Sequence, residues 1–233
     1  MFQVDVSGPG SRYATQSRMP QSRRKPLSSQ AQEQYLIDGP AGDLEVLVTR
    51  ADNARAVAVI CHPHPLHGGT MQNKVVSTLM RAARDQDANT IRFNFRGVGK
   101  SAGEHADGVG EIDDCQAVID WAAGEFPGLA LWLMGFSFGG YVAAATASAQ
   151  PAWPQKVLLV APSVERQPFA DLLPLPGPVS VLMGEADEVV APQAVFGLLE
   201  GQSGVDMLRF ADTGHFFHGK LVELKAAAEQ TLG

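Results

Sequence analysis

Cysteine is scarce in this chain of 233 residues: there are two, Cys61 and Cys115. Two thiols exclude a disulfide-rich scaffold and a four-cysteine zinc site. They read as small buried apolar groups in a reducing compartment. Long apolar runs are missing too. No stretch approaches the roughly 18 consecutive apolar residues of a membrane span. The opening MFQVDVSGPGSR has no basic start leading into a continuous apolar segment, so it does not read as a signal peptide. A basic excess is also lacking: 18 Lys+Arg stand against 25 Asp+Glu, a net charge of −7. Phosphate contacts need a basic face, which argues against a nucleic-acid partner. The expectation is a cytoplasmic protein with neither membrane nor nucleic acid as partner.

What is present is ordinary globular material. Hydrophobic residues make up 45% of the chain, enough at this length to bury a sizeable core without staples. Residues 1–30 stand apart. They hold one acid, Asp5, against five bases, Arg12, Arg18, Arg23, Arg24 and Lys25. Ser, Gln, Pro and Gly dominate there, and such composition cannot offset the entropy of ordering. The segment reads as a disordered basic tail before a domain at 31–233. A basic arm for an acidic partner is one reading. A dispensable leader, with Met19 as an alternative start, is the plainer and preferred one.

From residue 33 onward strands alternate with helices. QYLI (34–37) and LEVLVT (44–49) flank the turn signal Asp38-Gly39-Pro40. AVAVIC (56–61), TIRFNF (90–95), LALWLM (129–134), KVLLVA (156–161), VSVLM (179–183) and VDMLRF (205–210) read as further strands. Helices are expected over 72–87, 111–123, 141–149, 192–200 and 219–231. In the second of these, Ile112, Cys115, Val118 and Ile119 share one stripe. Such alternation means βαβ crossovers and a mostly parallel sheet covered on both faces.

One motif carries chemistry by its context. Gly135-Phe136-Ser137-Phe138-Gly139 fits G-x-S-x-G and sits between a strand and a helix. A nucleophile on so sharp a turn has a strained backbone and needs small neighbours. Gly135, Gly139 and Gly140 supply them. The turn sets Ser137 at a helix N-terminus, where free N–H groups favour developing negative charge. The N–H of Phe138 is the expected oxyanion donor. A serine that merely caps its helix is the plain alternative, and the strand ahead of it argues against that.

With these residues the chain resembles the α/β-hydrolase superfamily, and within it the small, nearly lidless hydrolases and esterases. The resemblance covers roughly residues 33–231. It rests on GFSFGG (135–140), HPHPLHGGTMQNKVV (62–76), FRGVGKSAG (95–103), GEADEVV (184–190) and DTGHFF (212–217). It implies a single α/β domain with an eight-stranded, mostly parallel sheet, helices on both faces and a minimal lid. It also implies a triad in the chain order Ser, acid, His. His215 stands where the family places its base, with His218 as competitor. Asp187 matches the acid station. Glu185 and Glu188 read as solvated loop charges and Asp212 as a turn residue.

The loop after AVAVIC supplies the second oxyanion N–H in such proteins. This sequence has Pro63 where glycine is common, and proline has no N–H. His64 is therefore the expected donor, with Leu66 second. Gly68 and Gly69 would let the backbone approach a bound acyl group.

Two decoys need weighing. His62, His64 and His67 follow the spacing of H-x-H-x-D-H, a zinc signature of metallo-β-lactamase-like hydrolases, but Leu66 stands where its Asp belongs. Gly99-Lys100-Ser101 imitates a P-loop end, but Asn94 occupies the required first glycine. No metal and no cofactor are expected.

The mechanism implied is two-step acyl transfer on a small-molecule ester, with short-chain carboxylic esters favoured by the short, proline-rich stretch Pro162–Pro178. Thioesters, lactones and small amides share the chemistry. Phe136, Phe138, Phe169, Leu172 and Leu173 are candidates for an acyl wall, with a place in the core as the equal alternative. The rival classes are a metal-dependent hydrolase built on the histidine cluster and a non-catalytic binding protein on a hydrolase fold. No oligomeric state is read from the pattern.

Overall fold

The computed structural model describes residues 32–233. The basic segment expected at 1–30, Met19 included, lies outside them.

Eight strands form one sheet. They are β1 (Gln32–Ile37), β2 (Leu44–Thr49), β3 (Ala56–Cys61), β4 (Ala88–Phe93), β5 (Ala130–Phe136), β6 (Lys156–Val160), β7 (Val179–Gly184) and β8 (Val205–Phe210). Their spatial order is β1-β2-β4-β3-β5-β6-β7-β8. The two pairings that involve β2 are antiparallel, and every other pairing is parallel. β3 and β4 are buried at every position, as strands covered on both faces must be. The edge strands β1 and β8 expose part of their length.

Five helices cover the sheet: α1 (Lys74–Asp85), α2 (Val109–Glu125), α3 (Phe138–Ala149), α4 (Pro192–Leu199) and α5 (Leu221–Leu232). α1 packs against α5 and α2 against α3, giving two helical layers with the sheet between them. The expected stripe of α2 turns inward: Cys115, Val118 and Ile119 are buried, and Ile112 packs against the core. Among the described residues no helix is long and apolar enough to cross a membrane.

Most element ends lie within one to three residues of the sequence pattern, and two of the shifts, both beside the site, have a physical cause. β4 ends at Phe93 rather than residue 95. Beyond it Asn94 N–H still donates to Glu45 O at 2.9 Å, and side chains take the contacts that follow. Asn94 uses its amide on Met71 N–H and on the Glu45 carboxylate, and Phe95 N–H donates to His62 Nε2 at 3.1 Å. α3 begins at Phe138, three residues earlier than expected. Glycine is a poor helix former, so Gly139 and Gly140 hid the first turn from a propensity argument.

Candidate active site

The site forms where β5 meets α3, at the C-terminal edge of the parallel strands. Ser137 has φ 57° and ψ −118°, a conformation that costs a non-glycine residue roughly 1–3 kcal/mol. The surroundings impose it. Ser137 N–H donates to Val160 O at 2.9 Å. Its carbonyl accepts from Gly140, Tyr141 and Ser163 N–H groups. The glycines act by close approach. A Cβ on Gly135 would lie 2.0 Å from Gly139 O, and one on Gly139 would lie 2.4 Å from His62 O. No side chain fits at either position.

His215 lies in the loop after β8. Its Nε2 is 3.1 Å from Ser137 Oγ, and its Nδ1 is 2.7 Å from Asp187 Oδ2. Asp187 follows β7. Its other oxygen accepts two N–H groups, from Val189 and Val190, each at 2.8 Å. A carboxylate that accepts three hydrogen bonds is held as an acceptor and oriented at once. All three side chains are nearly dry, with Ser137 7%, Asp187 8% and His215 2% exposed. Phe136 covers the imidazole, ring centroids 4.8 Å apart.

The expected oxyanion donors flank this row. Phe138 is the first residue of α3, where an N–H has no intrahelical acceptor. Leu66 N–H donates to His64 Nδ1 at 3.2 Å, so it is spent inside its own turn. His64 N–H meets no protein acceptor among the described residues. His64, Phe138, Ser137 and His215 all line one cavity of about 150 Å³.

Comparison with known proteins places the fold. The family model Hydrolase_4, described as serine aminopeptidase, S33, matches residues 52–176. An uncharacterized protein of Rickettsia prowazekii is 32% identical over 209 residues, covering 85% of this chain and 88% of its own. The chain belongs to the α/β-hydrolase superfamily. Two solved structures resemble this hydrolase throughout. One, an α/β serine hydrolase homologue from Coxiella burnetii, is 42% identical with a TM-score of 0.82, covering 86% of this chain and 97% of that one. The other, from Xanthomonas campestris, is described as an α/β serine hydrolase without lid. It is 40% identical with a TM-score of 0.82, over 89% of this chain and 96% of that one.

The histidine stretch of this hydrolase does not open toward a metal. His62 is buried, with Nε2 accepting from Phe95 N–H and Nδ1 2.6 Å from Pro63 O. One nitrogen must accept and the other donate, so the ring is neutral with its proton on Nδ1. Burial pushes its pKa down to about 4, against a smaller opposing effect of Pro63 O. Neither nitrogen has a lone pair free for a ligand. Among the described residues no group of three or more His, Cys, Asp or Glu is placed to hold a metal ion.

The loop FRGVGKSAG is a structural turn. The Glu45 carboxylate accepts Lys100 N–H, Ser101 Oγ donates to Asn94 O, and Arg96 pairs with Asp114. His218 is exposed and stacks on Phe216, away from Ser137. Cys61 and Cys115 are both buried, Sγ to Sγ 3.5 Å, and burial pushes the Cys61 thiol up.

Other expectations need correction. Glu188 is more than a loop charge, since its Oε2 accepts His215 N–H at 3.1 Å. Of the five apolar residues expected as an acyl wall, Phe138 alone lines the cavity. Phe136 and Phe169 are fully buried in the core, and Leu172 and Leu173 pack against it. The apolar lining comes from Val189, Val190 and Phe216 instead. Their adjacency to Asp187 and His215 was the available signal. Gly69 lines the cavity but is packed within its own loop, where a Cβ would meet Pro63 O at 2.0 Å. His105 was missed altogether. Its ring sits 4.8 Å from that of His64, and its Nδ1 lies 2.8 Å from the buried Glu111. No motif surrounds it in the sequence.

Proposed function

We propose that this hydrolase is a carboxylesterase acting on small, short-chain esters through Ser137, His215 and Asp187. His215 Nε2 takes the Ser137 proton as Oγ attacks the ester carbonyl. The oxyanion is held by the N–H groups of Phe138 and His64. As the tetrahedral intermediate collapses, the ester C–O bond breaks and His215 protonates the departing alcohol. Water then attacks the acyl-enzyme with His215 again as base, releasing the acid and restoring Ser137. Asp187 fixes the imidazole tautomer and balances the charge that His215 gains. No step calls for a cofactor.

The observation that carries this reading is the continuous row from Asp187 through His215 to a strained, buried Ser137. Cavity size supports a small substrate: about 150 Å³ is below the roughly 300–1,000 Å³ of pockets for drug-sized ligands. Its lining also bears on the name of the matching family model. An aminopeptidase needs an anionic group to receive the substrate ammonium, and among the described residues that line the cavity there is no Asp or Glu. Ester hydrolysis is favoured on that ground.

Fluorophosphonate labelling, read by intact mass, tests the reading. Stoichiometric labelling is expected in the native protein and none in Ser137→Ala. Turnover of short-chain esters should fall by about 10³-fold or more in the same variant. A folded native protein that neither labels nor hydrolyses any short ester would overturn the proposal.

A further inference from the structure

The cavity beside Ser137 is unusual in charge. The protein as a whole is acidic, with a net charge of −7. Yet the titratable side chains that line the cavity are His64, His67, His215 and Arg166. Each is neutral or cationic. Asp187 stays behind His215, and Glu165 faces an adjoining surface depression that Arg166, Val189 and Val190 also border.

Arg166 stands out within this group. Eight arginines fall among the described residues. Arg50, Arg84, Arg96 and Arg209 pair with carboxylates. Arg55, Arg81 and Arg92 donate to carbonyl or hydroxyl oxygens. Arg166 alone, among the described residues, has no such acceptor, although Glu165 is its neighbour in the chain. A planar fork of donors at the wall of a catalytic cavity, left without an acceptor, suits a carboxylate brought by the ligand.

The neighbouring rings point the same way. His64 stacks on His67 at 4.5 Å and lies 4.8 Å from His105. Burial, and then the charges of His105, His67 and Arg166, hold His64 below its ordinary pKa. The smaller part of that effect comes from positive charge that His105, His67 and Arg166 bring to this wall, with Glu111 opposing it.

We propose that Arg166 is a specificity-determining residue and that the preferred substrates are monoesters of short dicarboxylic acids. The ester carbonyl sits at Ser137 and the free carboxylate meets the Arg166 guanidinium at the mouth. Val189, Val190 and Phe216 take the short methylene chain between them. This rests on the esterase reading above.

Monoethyl adipate and ethyl pentanoate present the same methylene chain with and without a carboxylate. The ratio of their kcat/KM values is the readout, measured for the native protein, Arg166→Gln, Arg166→Lys and Arg166→Glu. Arg166 is exposed, so the ratio should fall by about fivefold in Arg166→Gln, further in Arg166→Glu, and partly recover in Arg166→Lys. The native preference should also shrink between low and about 0.5 M salt. Fluorophosphonate labelling reports in each variant whether Ser137 is assembled. Equal ratios in the native protein and Arg166→Gln would overturn the proposal. A second arm is independent of turnover. Titration calorimetry compares adipate with pentanoate binding in the native protein and in Arg166→Gln. If no ester is hydrolysed, the esterase reading falls and this arm decides alone. Selective adipate binding that is lost in Arg166→Gln upholds the anion site, and no selectivity removes it.

Discussion

The floor and the mouth of the cavity are built by opposite rules. At the floor, Ser137, His215 and Asp187 are dry, and backbone groups hold the serine and the aspartate from several directions. At the mouth, Phe216, Val189 and Arg166 stand in solvent, and Phe216 keeps 41% of its surface exposed. The difference follows from the tasks. In the proposed mechanism, proton transfer from Ser137 to His215 tolerates little misplacement, and over-determined groups suit it. The proposed choice among small esters needs only modest differences in contact energy, which exposed side chains supply.

The comparison breaks most sharply at Asp187. Asp187→Asn keeps an oxygen for the Val189 and Val190 N–H groups, so the loop should hold while the His215 tautomer is lost. We expect kcat to fall by about 10³–10⁴-fold with KM little changed. Steady-state kinetics with an unchanged circular dichroism spectrum checks this. A loss under tenfold would mean that the floor is less constrained than described.

The next effect is on stability. Gly135→Ala places a methyl 2.0 Å from Gly139 O, and backbone must shift to admit it. We expect a loss of about 1–3 kcal/mol in urea unfolding, with labelling of Ser137 slowed as well. A variant of native stability would show that the turn has slack.

His62, behind the floor, sharpens the contrast through pH. Burial lowers its pKa from 6.5 to about 4. Between these values the unfolded chain takes up a proton that the folded protein refuses. Stability is therefore full above pH 6.5 and falls as the pH drops toward 4, by on the order of 3 kcal/mol from this residue. His62→Gln, which cannot titrate, should flatten that part of the curve of unfolding free energy against pH. An unchanged slope would place the acid sensitivity elsewhere. Effects at the mouth, such as those of Arg166, should be the smallest.

The floor was legible in the residue order because its parts are local signals. A serine between glycines after a buried strand announces a strained turn whichever fold surrounds it. Asp187 and His215 were legible through the family resemblance, which implies an acid and a base after late strands. The mouth was not legible. Phe169 and Leu172 look as suited to an acyl wall as Val189 or Phe216, and only packing put Phe169 into the core, Leu172 against it and the second pair around the cavity. The end of β4 was misplaced for a related reason. Asn94 N–H still reaches Glu45 O, but the next N–H, of Phe95, is taken by the His62 side chain from the loop after β3.

By itself, then, the order of residues determined the alternation of strands and helices, the strained turn at Ser137 and the types of group that meet there. These depend on periodicity, turn chemistry and spacing along the chain, which are local. Tertiary structure decided the rest. It committed both nitrogens of His62 to the backbone, so that a zinc-like spacing holds loops together instead. It drew Glu188 onto the His215 backbone and His105 beside His64, and it left Arg166 at the cavity wall without a protein acceptor among the described residues. Those outcomes depend on which groups lie within about 3 Å across the fold, and hydrogen-bond reach is a property of space rather than of sequence separation.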